Sequence, residues 1–271
     1  MFSVNIHANK LNTLFKLFKT LISRTFSIVK PGFWGTHYVK YLLNSLKLNA
    51  GLFDGMHYVN QSVCGSIIPK YLGTYEVELK PIFKELFKIS FKSIIDVGAA
   101  EGYYAVGCAL KFPHAQVIAY EATEEGRLLL KEVINSNGVA DRVQICGICT
   151  PELLLNDVKL YNNEENRLLI MDVEGAEEYI LSLCTATDLR NFHILIELHD
   201  WVDEKMGDRI INKFSATHLS QLILARKRIA SDFQAPEFWI LRKFLLPSLL
   251  AFSYERPLPM RWLYLEPKQR F

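Results

Sequence analysis

Apolar and polar positions follow two alternating patterns from residue 93 onwards. Short continuous apolar runs, typical of strands buried in a parallel sheet, cover residues 93–97, 116–121, 143–147, 168–173 and 194–198. Segments with apolar residues three and four positions apart, typical of amphipathic helices, cover 102–111, 124–137 and 177–183. Strands that alternate with helices predict a doubly wound, Rossmann-like α/β sheet, mostly parallel, with helices on both faces.

The pattern continues towards the carboxyl terminus with one interruption. A helix is predicted over 203–214, and two more strands are predicted in "THLSQLILA" (217–225) and "MRWLYLEP" (260–267). Residues 226–259 between these strands are rich in Phe, Pro and Leu and show no regular period. We expect this insertion to form an irregular lid over a substrate.

Residues 1–72 lack this alternation and carry a basic bias. Seven lysines and arginines precede the first acidic residue, Asp54. Over 10–30 the apolar residues share one helical face, which predicts an amphipathic helix. Such a helix either packs on its own domain or associates weakly with an anionic membrane surface, and both interpretations stay open. Turns are predicted at "KPGFWG" (30–35) and "NAGLFDG" (49–55).

These patterns divide the chain into a basic, largely helical extension over 1–72 and a main domain over 73–271. The main domain begins with a helix predicted in "TYEVELKPIFKELFK" (74–88). With 271 residues, of which 50% are hydrophobic, the chain can bury a sizeable core. The oligomeric state is not predicted.

Charge, hydropathy and cysteine content exclude several classes of protein. The net charge of +2 gives no case for a nucleic acid partner. No apolar run reaches the roughly 18 residues of a membrane span. The five cysteines lie mostly among apolar neighbours, which favours free thiols in a reducing compartment, the cytoplasm. If the basic helix binds lipid, we expect a peripheral position at the inner membrane face. Cys146 and Cys149 form a C-x-x-C without a second pair, so we predict a structural role.

Acidic residues follow the predicted strands at one edge of the sheet, where doubly wound folds bind their ligands. The first strand ends at Asp96, the second at Glu121 and the fourth at Asp172. The fifth ends at Glu197 and His199, which project to the same side because side chains alternate along a strand. Glu174 follows Asp172 after the fourth strand. We therefore expect five carboxylates and one histidine along this edge of the sheet.

The stretch "SIIDVGAAEGYYAVGCAL" (93–110) predicts the cofactor. Gly98 allows a sharp turn after the strand, and Gly102 opens the next helix. Asp96 and Glu101 beside this turn oppose a pyrophosphate, and they suit a ligand with cationic groups such as S-adenosylmethionine. Glu121 is placed to accept hydrogen bonds from ribose hydroxyls. The stretch contains no phosphate loop, and the chain contains no G-x-S-x-G or H-E-x-x-H motif.

Two motifs resemble one family. "DVGAAEG" (96–102) resembles the first motif of class I S-adenosylmethionine-dependent methyltransferases, with Ala100 in place of the more common glycine. "LLIMDVEGAEEYIL" (168–181) is similar to the signature of FkbM-type methyltransferases. The resemblance implies a seven-stranded sheet whose last strand inserts antiparallel. It also implies a cofactor site in which Glu121 holds the ribose, Ala122 flanks the adenine, and a further set surrounds the ligand: Asp96, Gly98, Ala99, Ala100, Glu101, Gly102, Tyr103, Cys149, Thr150 and Asp172.

The reaction implied is transfer of a methyl group to a hydroxyl of a sugar or small metabolite, with a glycan or small molecule as the acceptor. Asp172 and Glu174 are the first candidates for orienting the acceptor or accepting its proton, with Glu197 and His199 beside them. Asp172, Glu197 and His199 also form a possible set of donors for a divalent cation, but acids at strand ends are common without metals, and we predict no bound metal. The alternatives are a non-catalytic interaction or membrane-surface protein with this fold, and a nicotinamide-dependent oxidoreductase.

Overall fold

The computed structural model describes residues 31–160, 166–233, 238–255 and 260–268, with the side chains of 31–33 and 238–244 excepted. Seven strands form a single sheet in the order β3-β2-β1-β4-β5-β7-β6. The strands are β1 (Ser93–Val97), β2 (Gln116–Tyr120), β3 (Val143–Cys146), β4 (Arg167–Met171), β5 (Phe192–Leu198), β6 (His218–Leu224) and β7 (Arg261–Pro267).

The first five strands are parallel, and β7 runs antiparallel between β5 and β6. β1 and β4 are buried along their whole length, in agreement with their continuous apolar runs. The chain order reverses between β1 and β4, so the carboxyl ends of these neighbours form the crevice where such sheets bind ligands. The predicted fold class is confirmed, including the late antiparallel strand.

Helices cover the sheet. They are α1 (Pro31–Ser45), α2 (Ile68–Leu72), α3 (Lys80–Leu86), α4 (Tyr103–Lys111), α5 (Glu124–Ser136), α6 (Pro151–Leu160), α7 (Glu177–Ile180), α8 (Met206–Phe214) and α9 (Phe238–Phe252). α5 shows why these segments begin where they do: the Thr123 hydroxyl accepts a hydrogen bond from the Gly126 N–H, and Glu124 and Glu125 lie in the positive first turn. Short 3₁₀ turns occupy Val77–Leu79 and Ala230–Asp232.

Three segments differ from the sequence-based expectation. The predicted turn at 30–35 is wrong, because Pro31 begins α1, where its missing N–H costs nothing, and Gly35 lies inside the helix. A Cβ on Gly35 would lie 2.5 Å from Ser248 Cβ, so this glycine permits the close approach of α1 and α9. The insertion over 226–259 is not irregular throughout, because α9 occupies 15 of its residues. α6 was not predicted at all.

The core has two parts, one on each face of the sheet, and residues preceding the sheet belong to one of them. Leu42, Leu48 and Phe53 are buried in the same cluster as Ile94 of β1. Phe53 lies directly against α4, where a Cβ on Gly107 would come within 2.3 Å of its ring. The described part of the predicted extension thus packs into the core of the sheet. The amphipathic helix predicted over 10–30 lies outside the described residues. Within the described ranges, no helix combines the length and the apolar character that crossing a membrane requires.

Candidate functional site

The glycine turn after β1 is held in a conformation that depends on its small residues. Gly98 has φ +88, and a Cβ there would lie 1.8 Å from the carbonyl oxygen of Asp172. Ala100 also adopts a left-handed conformation, with φ 46. The backbone N–H groups of Gly98 and Ala99 both donate to the carbonyl of Tyr120 at 2.9 Å. The turn is therefore fixed between the ends of β2 and β4, with no room for a side chain at Gly98.

Glu121 connects the turn to the end of β2. Its carboxylate accepts hydrogen bonds from the Ala100 N–H at 2.8 Å and from the Thr123 N–H at 2.7 Å. Gly102 caps α4 with φ +95, and a Cβ there would lie 2.5 Å from Leu130 of α5. Gly102 thus allows contact between two helices, while Glu121 fixes the turn that faces the ligand crevice.

A cavity of about 250 Å³ opens at the carboxyl ends of β1 and β4. Seven residues predicted from the sequence line it: Asp96, Gly98, Ala99, Ala100, Tyr103, Asp172 and Glu174. Other parts of the chain complete the wall, namely Cys64, Gly65, Ser66, Lys70, Tyr75, Tyr104, Trp201, Glu255 and Met260. The structure thus brings the ends of the two central strands together with a segment that precedes the sheet.

Asp96 presents a carboxylate to this cavity from a buried position. It is 2% exposed, and its Oδ2 makes no hydrogen bond with the described residues. Burial, and then the neighbouring charge of Asp172, raise the pKa of Asp96 to about 7. A cationic ligand beside Asp96 would stabilise its charged form, whereas a phosphate would oppose it.

Glu101 does not face the cavity as the sequence analysis expected. It is fully buried and pairs with the Lys70 ammonium, and it also accepts a hydrogen bond from Ser62 at 2.8 Å. Burial raises the pKa of Glu101, but Lys70 and Ser62 outweigh it and hold that pKa below its usual value. The position of Glu101 has a simple physical cause, because a buried carboxylate requires a cation and Lys70 supplies it from 31 positions earlier in the chain.

Lys70 is itself enclosed by aromatic rings. Its ammonium lies 5.0 Å from the ring centre of Tyr75 and 5.8 Å from those of Tyr58 and Tyr103. Such contacts stabilise a cation in a place that water does not reach. Tyr103 therefore belongs to both the cavity wall and the packing that holds the preceding segment over the glycine turn.

His199 lies beneath the cavity and is surrounded by carboxylates. It is 1% exposed, and its Nδ1 lies 2.5 Å from Oε1 of the fully buried Glu177. Its Nε2 lies 3.2 Å from Glu174, 3.6 Å from Asp172 and 3.8 Å from Glu197. Burial lowers the pKa of His199, but the hydrogen bond with Glu177 and the surrounding carboxylates raise it above its usual value. Glu197 and His199 project to the same side, as strand alternation predicted.

The turn after β4 places two of these carboxylates. Glu174 has φ 53, an uncommon conformation for a side chain of this size. Gly175 has φ +103, and a Cβ there would lie 2.7 Å from Val202. A non-glycine residue held in the left-handed region is often found at a functional site, where surrounding contacts maintain the strain. Here the strained turn directs Glu174 towards His199.

Besides Glu101, Gly102 and Glu121, three further residues of the predicted cofactor site lie outside the cavity lining: Ala122, Cys149 and Thr150. The Ala122 carbonyl accepts a hydrogen bond from Arg127 at 2.7 Å. Cys149 is buried in the second core, where burial raises the pKa of its thiol to about 12. The Thr150 hydroxyl accepts a hydrogen bond from the Leu153 N–H at the start of α6. Their proposed contacts with a cofactor stay predictions.

Sequence reasoning missed several members of the site. Lys70, Tyr75, Trp201, Glu255 and Met260 line the cavity, but none of them was predicted as a site residue. Glu177 was missed as well, although it lies within "DVEGAEE" and begins the helix α7 that follows this turn. That motif was the one sequence signal that could have predicted Glu177 as a site residue.

No family model and no curated protein sequence matches the chain. Solved structures with a similar fold include precorrin-6y C5,15-methyltransferase from Geobacter metallireducens, with 9% identity and a TM-score of 0.45 over 70% of this chain and 87% of that one. Human methyltransferase 10 domain containing protein has 11% identity and a TM-score of 0.44 over 71% and 83% of the two chains. An rRNA methylase from Streptococcus thermophilus has 11% identity and a TM-score of 0.43 over 70% and 97%. At these identities and TM-scores the similarities assign neither a reaction nor a substrate.

Proposed function

We propose that this protein is an S-adenosylmethionine-dependent methyltransferase whose acceptor is a hydroxyl of a sugar or other small metabolite. The observation that carries the proposal is the charge of the cavity next to the glycine turn. Asp96 presents a buried carboxylate there, and Lys70, the one lysine among the described residues of the cavity wall, is neutralised by Glu101. A dinucleotide would bring its pyrophosphate against an unopposed acid, whereas S-adenosylmethionine brings an ammonium and a sulfonium.

The residues present fit this cofactor. Asp96 is suited to the ammonium group, because its Oδ2 is buried without a hydrogen bond to the described residues. Glu121, which the resemblance assigns to the ribose, lies outside the cavity lining, where its carboxylate accepts hydrogen bonds from Ala100 and Thr123 and fixes the turn beside the cofactor. The narrow turn at Gly98 lets the backbone approach the ligand closely. Bound there, the cofactor would supply an electrophilic methyl group on a good leaving group.

The chain's own contribution is to position the acceptor and remove its proton. Asp172 and Glu174 line the cavity beside the glycine turn, and His199 lies 3.2 Å from Glu174 and 3.6 Å from Asp172. A carboxylate or imidazole within hydrogen-bond reach of an acceptor hydroxyl can take its proton, and such groups contribute about 10²–10⁴-fold to a rate. This cluster of proton acceptors is why we propose a hydroxyl acceptor.

Calorimetric titration tests the cofactor. Wild-type protein is expected to bind S-adenosylmethionine and S-adenosylhomocysteine and to give no heat with NADH. Gly98→Arg should abolish binding, because any side chain at this position meets the Asp172 carbonyl. Gly55→Arg is the matched control, since Gly55 has a similar φ of +90 with nothing within 4 Å. Binding of NADH alone would establish the oxidoreductase alternative, and no binding of any of the three would refute the methyltransferase.

Labelled cofactor tests the acceptor. The protein is incubated with cell extract and S-adenosylmethionine that carries a labelled methyl group, and the extract is separated into small molecules, glycans, RNA and protein. Label is expected in the small-molecule or glycan fraction. Label in RNA or protein alone would overturn the proposed acceptor class while leaving the cofactor assignment intact.

We also place the protein in the reducing cytoplasm, a proposal supported by its five free cysteines.

A further inference from the structure

Three side chains that follow β4 and β5 are spaced like ligands of one metal ion. One donor atom each from Asp172, Glu174 and His199 lie within 4.8 Å of one another. His199 Nε2 lies 3.2 Å from Glu174 Oε2 and 3.6 Å from Asp172 Oδ1. Ligands about 2.1 Å from an ion and at right angles lie about 3 Å apart, so small side-chain rotations bring all three to one ion.

The orientation of His199 independently points to a ligand. Its Nδ1 is engaged by Glu177, which is buried and accepts a further hydrogen bond from the Gly175 N–H at 3.1 Å. Glu177 as acceptor places the ring proton on Nδ1 and leaves the lone pair of Nε2 facing Asp172 and Glu174. Nε2 is buried and makes no hydrogen bond with the described residues. Histidines that bind metals donate their other N–H to a carboxylate in this way.

The charge of the cluster favours a cation of more than one unit. Four carboxylates, those of Asp172, Glu174, Glu177 and Glu197, lie within 3.8 Å of the His199 ring nitrogens. Buried charges are costly unless they are paired or coordinate a metal. A proton on His199 offsets one negative charge, whereas a divalent ion offsets two and also uses the Nε2 lone pair.

We propose that Asp172, Glu174 and His199 bind a divalent first-row transition-metal ion such as Mn²⁺ or Zn²⁺, and that Glu177 orients His199 as a positioning residue. One imidazole with two carboxylates suits these ions better than Mg²⁺ or Ca²⁺, which prefer oxygen ligands alone. Asp172 and Glu174 line the cavity, so an ion that they held would lie next to the space where we expect the acceptor. In a role that rests on the proposed function, the ion would hold the acceptor hydroxyl and lower its pKa.

Metal binding can be measured without any methyl transfer. Protein is freed of metal with a chelator, and Mn²⁺ is then titrated while the electron paramagnetic resonance signal of the free ion is followed, with Zn²⁺ and Mg²⁺ compared by calorimetry. One Mn²⁺ or Zn²⁺ per chain is expected, with Mg²⁺ weaker. Glu174→Gln should lower the affinity for the ion about 10-fold or more. Because the Glu174 side chain is 62% exposed, we expect this variant to fold like wild type. His199→Gln should abolish binding.

Glu178→Gln is the matched control, because Glu178 lies on the same segment but pairs with Arg209 at the surface. It should bind the ion like wild type. Failure of wild type to bind either ion, or Glu174→Gln binding as tightly as Glu178→Gln, would overturn the site. Titration of S-adenosylmethionine into the metal-free protein separates the two proposals: cofactor binding without metal binding refutes the metal site alone, and metal binding without cofactor binding refutes the methyltransferase alone.

Discussion

Replacing Gly98 with alanine should destabilise the protein more than the same change at Gly55. The two glycines have nearly equal φ values, +88 and +90, so a Cβ meets the same left-handed backbone penalty of about 1–2 kcal/mol at both positions. The gain from a less flexible unfolded chain is also the same at both. What differs is the surroundings, since nothing lies within 4 Å of a Cβ on Gly55, while a Cβ on Gly98 lies 1.8 Å from the Asp172 carbonyl oxygen.

The structure sets the size of this difference. Cβ atoms in proteins essentially never approach another heavy atom closer than 3.0 Å, so the Asp172 carbonyl must move by more than 1 Å. That residue also donates the hydrogen bond from its N–H to the Val97 carbonyl at 2.9 Å, which joins the ends of β4 and β1. Forcing extra atoms into a packed site costs about 1–3 kcal/mol. Gly98→Ala should therefore lose about 1–3 kcal/mol more unfolding free energy than Gly55→Ala.

Urea unfolding followed by tryptophan fluorescence measures the difference. Both variants should keep the slope of the wild-type transition, which ensures that the midpoints compare the same unfolding process. Equal midpoints for the two variants would contradict the packing argument at Gly98. It would mean that the turn relaxes away from β4 without cost.

Three other predictions concern the buried charge, the thiols and the catalytic cluster. Lys70→Met should cost about 3–5 kcal/mol of unfolding free energy near neutral pH, because Glu101 stays buried without its cation. Wild type loses stability as pH falls through the lowered pKa of Glu101, whereas Lys70→Met should gain stability as pH falls, since burial without the cation raises that pKa. Adding Glu101→Gln to Lys70→Met should restore the resistance to urea. Cys64, the one exposed cysteine, should react first with a thiol reagent, and Cys64→Ser should remove that fast phase. Asp172→Ala should keep S-adenosylmethionine affinity within a few-fold and lose about 10²-fold or more of the turnover in the labelled-extract assay; full turnover would remove Asp172 from the mechanism.

The strands were readable from the sequence because buried parallel strands are continuous apolar runs that end on polar residues. The fourth run, predicted over 168–173, is found as β4 at Arg167–Met171. α6 was not predicted, although Thr150 is an ordinary N-cap residue and Pro151 an ordinary first residue of a helix. Its Asn156 and Asp157 weaken the local helix signal, and packing of Leu154 and Val158 in the second core offsets this weakness.

The site was predictable only in part, because its charges are set by partners that lie far apart in the chain. Asp172, Glu174 and His199 were found from strand ends, since the fold itself collects strand ends at one edge. Nothing near Glu101 in the sequence signals that Lys70 neutralises it. Likewise, the contact of Glu177 with His199 depends on how α7 is seated beside β5.

The position of β7 has a consequence for the protein while it is being made. β6 lies at the edge of the sheet and pairs with β7, which is synthesised after it. Because a ribosome adds about 5–20 residues per second, β7 emerges several seconds after β6. During that time the leucines at 219, 222 and 224, exposed even in the folded protein, lie on a strand with both edges open. During this interval the nascent chain exposes an unpaired apolar segment, and we expect a chaperone that binds extended apolar segments to bind at residues 218–224.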